Sequence, residues 1–172
     1  TEAEWEYACR AGTTTVHSFG DDASQLGQYA WYLKNAWDRG EKYAHGVGQK
    51  LPNRWGLFDM HGNVWEWCQD RYAGYGSEKA LTDPTGPAQG GNRVLRGGSF
   101  FDNFAQSARS AYRYNFNPDD RDPIAGFRVA RTIAPAKRTA SQTPPTDLDQ
   151  PPAAEPQEDD PYAAVVRLAL EA

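Results

Sequence analysis

With 172 residues, 13% of them aromatic and six of them tryptophan, the chain has material for one domain with a substantial buried core. Its net charge of −5 is unevenly placed, since residues 1–132 carry 15 basic and 16 acidic side chains and residues 133–172 carry 3 and 7. A near-neutral folded part argues against nucleic acid as a partner, no apolar run is long enough to span a membrane, and two cysteines, Cys9 and Cys68, are too few for a secreted disulfide framework.

In chain order, Thr1-Glu2-Ala3-Glu4 reads as a capping box, which predicts a helix through Trp5, Tyr7, Ala8 and Cys9 that stops at Gly12. Because the chain opens within this element and shows no signal peptide, its natural N-terminus is expected upstream and its localisation stays open. Residues 13–56 show no sustained period and read as long packed loops with one short helix near Ala23 to Gln28. Loops of that length in a compact domain are functional or stapled by ions.

Gly56-Leu57-Phe58-Asp59-Met60-His61 then leads into Gly62-Asn63-Val64-Trp65-Glu66-Trp67. From Val64 the alternation predicts a strand with Val64, Glu66 and Cys68 on one face and Trp65 and Trp67 on the other. A buried carboxylate is costly, so Glu66 must find a cation, a donor cluster or water. Residues 70–92 read as turns, and Arg93-Val94-Leu95-Arg96 as a short strand ending at Gly97-Gly98-Ser99. Further strands are expected at Ala108 to Arg113 and Gly126 to Arg131, giving an α+β domain with a small antiparallel sheet over residues 1–132.

Beyond Thr132 the composition shifts. Seven of the twelve prolines fall between Pro135 and Pro161, which marks residues 133–160 as a Pro-rich acidic disordered linker. In residues 161–172, Tyr162, Val165, Val166, Ala169 and Leu170 share one helical face, consistent with either a frayed tail or a short docking helix.

Catalytic signals are sparse. His17, His45 and His61 are scattered, without acidic neighbours at metal spacing, and read as surface or loop residues; Ser99 has no nucleophile-elbow context. The segment Phe100 to Ala125 is different. Phe100, Phe101, Asn103, Phe104, Tyr112, Tyr114, Asn115, Phe116 and Asn117 mix rigid aromatics with short polar groups, a composition that paratopes use, although half of the aromatics, Tyr112 among them, suit a core equally well. Arg109, Arg113, Arg121 and Arg128 are expected to hold the scaffold through carbonyls and acids.

Taken together, Thr1 to Ala8, Gly56 to Met60, Gly62 to Trp67, Asp83 to Pro87, Arg93 to Ser99, Arg109 to Ala111 and Gly126 to Arg128 resemble, in order, the motifs of the formylglycine-generating-enzyme or sulfatase-modifying-factor family. The resemblance implies a C-type-lectin-like fold with few helices and much irregular structure, and a further N-terminal part before the helix. It implies copper held by two cysteines in the catalytic members; here Asp102 and Ser107 stand at those positions and offer no thiolate, so no copper is expected. The family's partner cysteine for Cys9 is replaced by Val129. It also implies a structural calcium site from the Asp59 side chain, the Gly62 and Val64 carbonyls and the Glu66 carboxylate, the alternative being that Glu66 pairs with an arginine and Asp59 caps a turn. Variable proteins of diversity-generating retroelements use the same fold and vary residues between the motifs at Arg96 to Ser99 and Gly126 to Arg128. Phe, Tyr, Asp, Ser and Asn, all reachable from asparagine codons, stand at Phe100 to Phe104 and Tyr112 to Asn117.

Two functions follow as expectations. One is a non-catalytic domain that binds a protein, peptide or glycan through residues 100–125, including Asp102 and Ser107; the other is an enzyme of the family with altered or lost copper chemistry.

Overall fold

The fold is given by a computed structural model that describes residues 1–76, 81–103 and 105–131. The proline-rich stretch and the tail helix expected at 161–172 therefore lie outside the described residues, as does Phe104. Helix α1 spans Glu2–Arg10, and both halves of its capping box form: the Thr1 hydroxyl accepts from the Glu4 amide while the Glu4 side chain answers the residue-1 backbone. It ends at Ala11, which adopts φ 48°, one residue ahead of the anticipated Gly12. The short helix near residue 23 is a 3-10 turn, Ala23–Gln25, running into α2, Leu26–Tyr29.

Four strands follow among the described residues, β1 (Trp65–Arg71), β2 (Arg93–Arg96), β3 (Tyr114–Phe116) and β4 (Ala125–Gly126), in the sheet order β3-β2-β1-β4. β2 runs antiparallel to β1 and β3, with Glu66 opposite Arg96 and Leu95 opposite Tyr114. β4 runs parallel to β1, so the sheet is mixed, where short strands separated by irregular chain with a single helix suggest an antiparallel one. The strand expected at Ala108 to Arg113 is instead a 3-10 turn, Ala105–Ala108, followed by irregular chain, and that expected at Gly126 to Arg131 keeps only its first residue in β4. Beyond Gly126 neither stretch pairs with a strand among the described residues, and a short segment without a cross-strand partner does not make a strand.

The two faces of β1 divide as its alternation predicts. One packs on α1: Cys68 joins Trp5, Ala8, Cys9, Leu57, Met60 and Val94 in a buried cluster. On the other, Trp65 is 2% exposed and stacks at 5.3 Å on Tyr114 of β3. Charge fixes α1 in place. Arg96, fully buried, ion-pairs with Glu2 and Glu6 and lies 5.2 Å over the Trp5 ring, while Arg113 grips Glu2 at 2.5 and 2.8 Å.

Candidate functional site

The Gly62-Asn63 step is the joint of the molecule. Gly62 has φ 78°, and a Cβ there would meet the Trp31 carbonyl at 2.2 Å, so glycine is required on both counts. Its amide donates to the Gly97 carbonyl at 2.7 Å, and Asn63 donates to Trp31 O at 2.8 Å while its own carbonyl accepts from Phe100 N at 2.8 Å. The Asn63 side chain clasps the His45 backbone at 2.9 and 3.2 Å. Three distant segments, 31–45, 62–63 and 97–100, are thereby held in fixed relation.

Onto that joint the segment after Ser99 is fastened. Asp102 accepts from the Ser99 amide at 2.8 Å and from its hydroxyl, and the side chains of Ser107 and Trp65 lie close enough to favour its charged form. Burial pushes its carboxyl above the usual carboxylate range, against the lowering effect of these donors. Asp102 and Ser107 thus come close enough for Ser107 to favour the charged form of the carboxyl, where the copper cysteines of catalytic relatives are expected. A carboxylate and a hydroxyl are hard oxygen donors and do not fit Cu(I). The two thiols lie elsewhere; Cys9 and Cys68 are both free, and burial pushes each up to about 12, so neither is a ready thiolate.

The surface residues sort into two groups. Phe101 and Tyr114 are 47% and 40% exposed, and Asn103 and Asn117 are exposed beside them. Trp65 joins the two ends from beneath, close to the Asp102 carboxyl and stacked under Tyr114. Tyr112, Asn115 and Phe116 are half-buried; Asn115 accepts from Asn92 at 2.6 Å. Phe100 is corrected: at 1% exposure beside Trp37 it is core and reaches no ligand, and Ser107 is likewise buried. Trp37 is the partner that sequence reasoning missed. Its ring meets Phe101 edge-on at 4.7 Å and carries Lys42 Nζ 4.6 Å above it, and the Leu33 amide donates to Asp102 O at 3.2 Å. No local pattern connects residue 37 to residue 101; the Leu33–Asp102 bond and the joint at Asn63 do.

At the expected calcium site, Glu66 has a guanidinium. Arg128 donates to its two oxygens at 3.0 and 2.7 Å, Trp5 Nε1 donates at 2.7 Å, and Arg128 also reaches Phe58 O at 2.9 Å. Asp59, at φ 57°, accepts from Gly48 N at 2.8 Å with Oδ2, while its buried Oδ1 has no partner. That orphaned oxygen is the one feature that fits an added hard cation.

His17 and His61 are buried, not surface residues as their spacing implied. His61 Nδ1 donates to Ala108 O at 2.7 Å, so Nε2 is the acceptor for the Ser18 amide at 3.2 Å and hydroxyl at 2.8 Å. His17 Nε2 donates to Ala105 O at 3.2 Å, so both imidazoles support the 3-10 turn under the exposed segment.

Comparison with known proteins accounts for this architecture. The sulfatase-modifying factor enzyme 1-like domain profile matches residues 1–133. The chain belongs to the sulfatase-modifying factor family. A formylglycine-generating enzyme from Streptomyces coelicolor is 38% identical over 141 residues, covering 76% of this chain and 45% of that protein. Among solved structures, Treponema denticola variable protein 1 aligns with a TM-score of 0.67 at 40% identity, covering 74% of this chain and 44% of the other. PvdO from Pseudomonas aeruginosa aligns with a TM-score of 0.60 at 29% identity, covering 74% and 49%. The chain thus spans less than half the length of these relatives.

Proposed function

We propose that this sulfatase-modifying-factor domain is a ligand-binding module whose recognition surface is the exposed aromatic and amide face at Phe101, Asn103, Tyr114 and Asn117, with Trp37 and Lys42 at its margin. The observation that carries the reading is the exposure of Phe101 and Tyr114 on backbone tied down through Asp102, Trp65 and Asn63. Large rings held rigid lose little conformational freedom on binding. The ligand class is protein, peptide or glycan. Selection of a random peptide library and a glycan array against the folded domain tests this, with binders expected to lose capture by the Phe101→Ala/Tyr114→Ala variant while its melting temperature stays near that of the parent. Hits that bind the variant equally well would remove the face from consideration.

The likeness to a variable protein supports a narrower form, in which the domain is the variable protein of a diversity-generating retroelement and positions between Ser99 and Gly126 differ among copies. Sequencing the locus decides it: a near-repeat of the segment beside a reverse-transcriptase gene is expected, and its absence overturns this form alone. The family's enzymes favour a second reading, an oxidoreductase with altered chemistry, supported by the proximity of Asp102 to Ser107 at the copper positions. The donor set weighs against it.

We also propose that Asp59, the Gly62 and Val64 carbonyls and Glu66 hold calcium in a structural role, supported by the orphaned Asp59 Oδ1. The ion would supply charge neutralisation there, complementing Arg128.

A further inference from the structure

Positive charge is concentrated in one stretch of irregular chain. Residues 31–54 carry five basic side chains, Lys34, Arg39, Lys42, Lys50 and Arg54, against two acidic ones, Asp38 and Glu41, whereas the rest of residues 1–132 is acidic on balance. Within this stretch residues 42–51 form a loop that has no carboxylate of its own and turns its apolar side chains to water: Val47 is 86% exposed, Tyr43 57% and Leu51 49%. The base of the loop is fixed. Asn63 clasps the His45 backbone, the Gly48 amide donates to Asp59 Oδ2 at 2.8 Å, and the Leu51 amide donates to Gln28 O at 2.9 Å. Gly48, at φ 76°, makes the turn that leaves Val47 at the tip.

Ring and cation contacts gather the loop into one patch around Trp31. His45 stacks on the indole at 3.8 Å, Lys50 Nζ lies over it at 3.8 Å, and Tyr43 tilts against His45 at 5.2 Å. The exposed Lys42 rides over Trp37 in the neighbouring turn. Nearby carboxylates do not cancel this charge. Glu41 is drawn to His45 at 2.9 Å, Asp38 is a single exposed acid in the 3-10 turn Trp37–Arg39, and Asp22, just before the turn into α2, accepts from the Ser24 amide at 2.9 Å. Like charges are instead left side by side: Arg39 helps to lower the Lys50 pKa, a smaller cause than burial, with Glu41 acting the other way.

Basic side chains interspersed with exposed apolar ones match a surface that is anionic outside and apolar within, which describes a bilayer with acidic headgroups. Nucleic acid or an acidic polysaccharide offers the charge but nothing for Val47 and Leu51 to enter. Tyr43, apolar in body and polar at its tip, suits the headgroup level.

We propose that the 42–51 loop is a peripheral docking surface for an anionic lipid bilayer, with Val47, Tyr43 and Leu51 entering the headgroup boundary and Arg39, Lys42 and Lys50 facing the phosphates. The contact is one of surfaces; among the described residues no helix is long and apolar enough to cross a membrane. It does not depend on ligand capture by the aromatic face.

The test is flotation of the full chain with phosphatidylcholine vesicles, with and without phosphatidylglycerol. Binding is expected only where the anionic lipid is present, and it should weaken as salt rises. Val47→Ser and Arg39→Gln both alter exposed side chains, and each should lower vesicle partitioning roughly fivefold while the melting temperature stays that of the parent. No flotation with the anionic vesicles, or equal flotation with the neutral ones, overturns the proposal. So does binding that Val47→Ser leaves unchanged and soluble heparin competes away, which would assign the loop to charged polymers. The Phe101→Ala/Tyr114→Ala variant should float like the parent; its failure to float would move the lipid contact to the aromatic face and remove the loop.

Discussion

Individual side chains in this domain are constrained by what burial demands of them. His61 is the clearest instance: enclosed, with Nε2 accepting from Ser18 and Nδ1 donating to Ala108, it has nowhere to place a second proton, and burial lowers its pKa from 6.5 to about 4. The folded state therefore binds this proton less readily than the unfolded chain does. The contribution is intact above pH 6.5 and is lost as the pH falls from 6.5 toward 4. Over that window the loss is on the order of 3 kcal/mol for a shift of this size. Urea denaturation at pH 7 and pH 4.5 should show it, and His61→Gln should flatten the dependence; an equally steep fall in the variant would assign acid lability elsewhere.

Asp102 and Ser107 invite a complementary test. Since the fold already brings the two side chains close together, the missing copper chemistry comes down to donor type. The Asp102→Cys/Ser107→Cys variant is expected to take up one Cu(I) under anaerobic conditions in competition with a chromophoric chelator, and the parent chain to take up none. Stoichiometric binding by the parent would show that other donors had been overlooked.

At the level of elements, α1 is held less by its own propensity than by the arginines beneath it. Nine residues are too few to be stable alone. Its two acidic residues on the inner side, Glu2 and Glu6, meet the fully buried Arg96, and Glu2 also meets Arg113. Removing Arg96 strands partly buried carboxylates, so Arg96→Leu should cost roughly 3–5 kcal/mol in chemical denaturation, the range for breaking a buried pair from one side. A loss below about 1 kcal/mol, the value of a surface pair, would mean that water reaches the site. The loop elements depend instead on Gly62. Gly62→Ala imposes both a left-handed alanine and a clash with Trp31 O, and it should release residues 31–45, seen as faster amide exchange there.

For the molecule as a whole, a small mixed sheet and α1 form a base from which long loops are hung, and the calcium proposal bears on how firmly. Arg128 already neutralises Glu66, so EGTA is expected to lower the melting temperature by only a few degrees in the parent. In Arg128→Gln the same treatment should lower it much further, because Glu66 would then depend on the ion. An absence of any EGTA effect in both proteins would dispose of the metal.

The features that a single sequence determined are those set by near neighbours. The capping box needs only residues 1 and 4, the β1 faces need only alternation from Val64 to Cys68, and the ordered motifs from Thr1 to Arg128 carried the family. The requirement that Glu66 be paired was legible too, from the cost of burying charge. Which group satisfies it was not, because Arg128 lies 62 residues away and reaches Glu66 only once β4 lies parallel to β1. The same holds for Phe100 and Phe101: adjacent, chemically identical and indistinguishable by composition, one is sealed against Trp37 and the other stands half in water. Tertiary structure decided that difference. Burial in an irregular segment follows from which distant loop packs over it, and here the Gly62-Asn63 joint makes that choice.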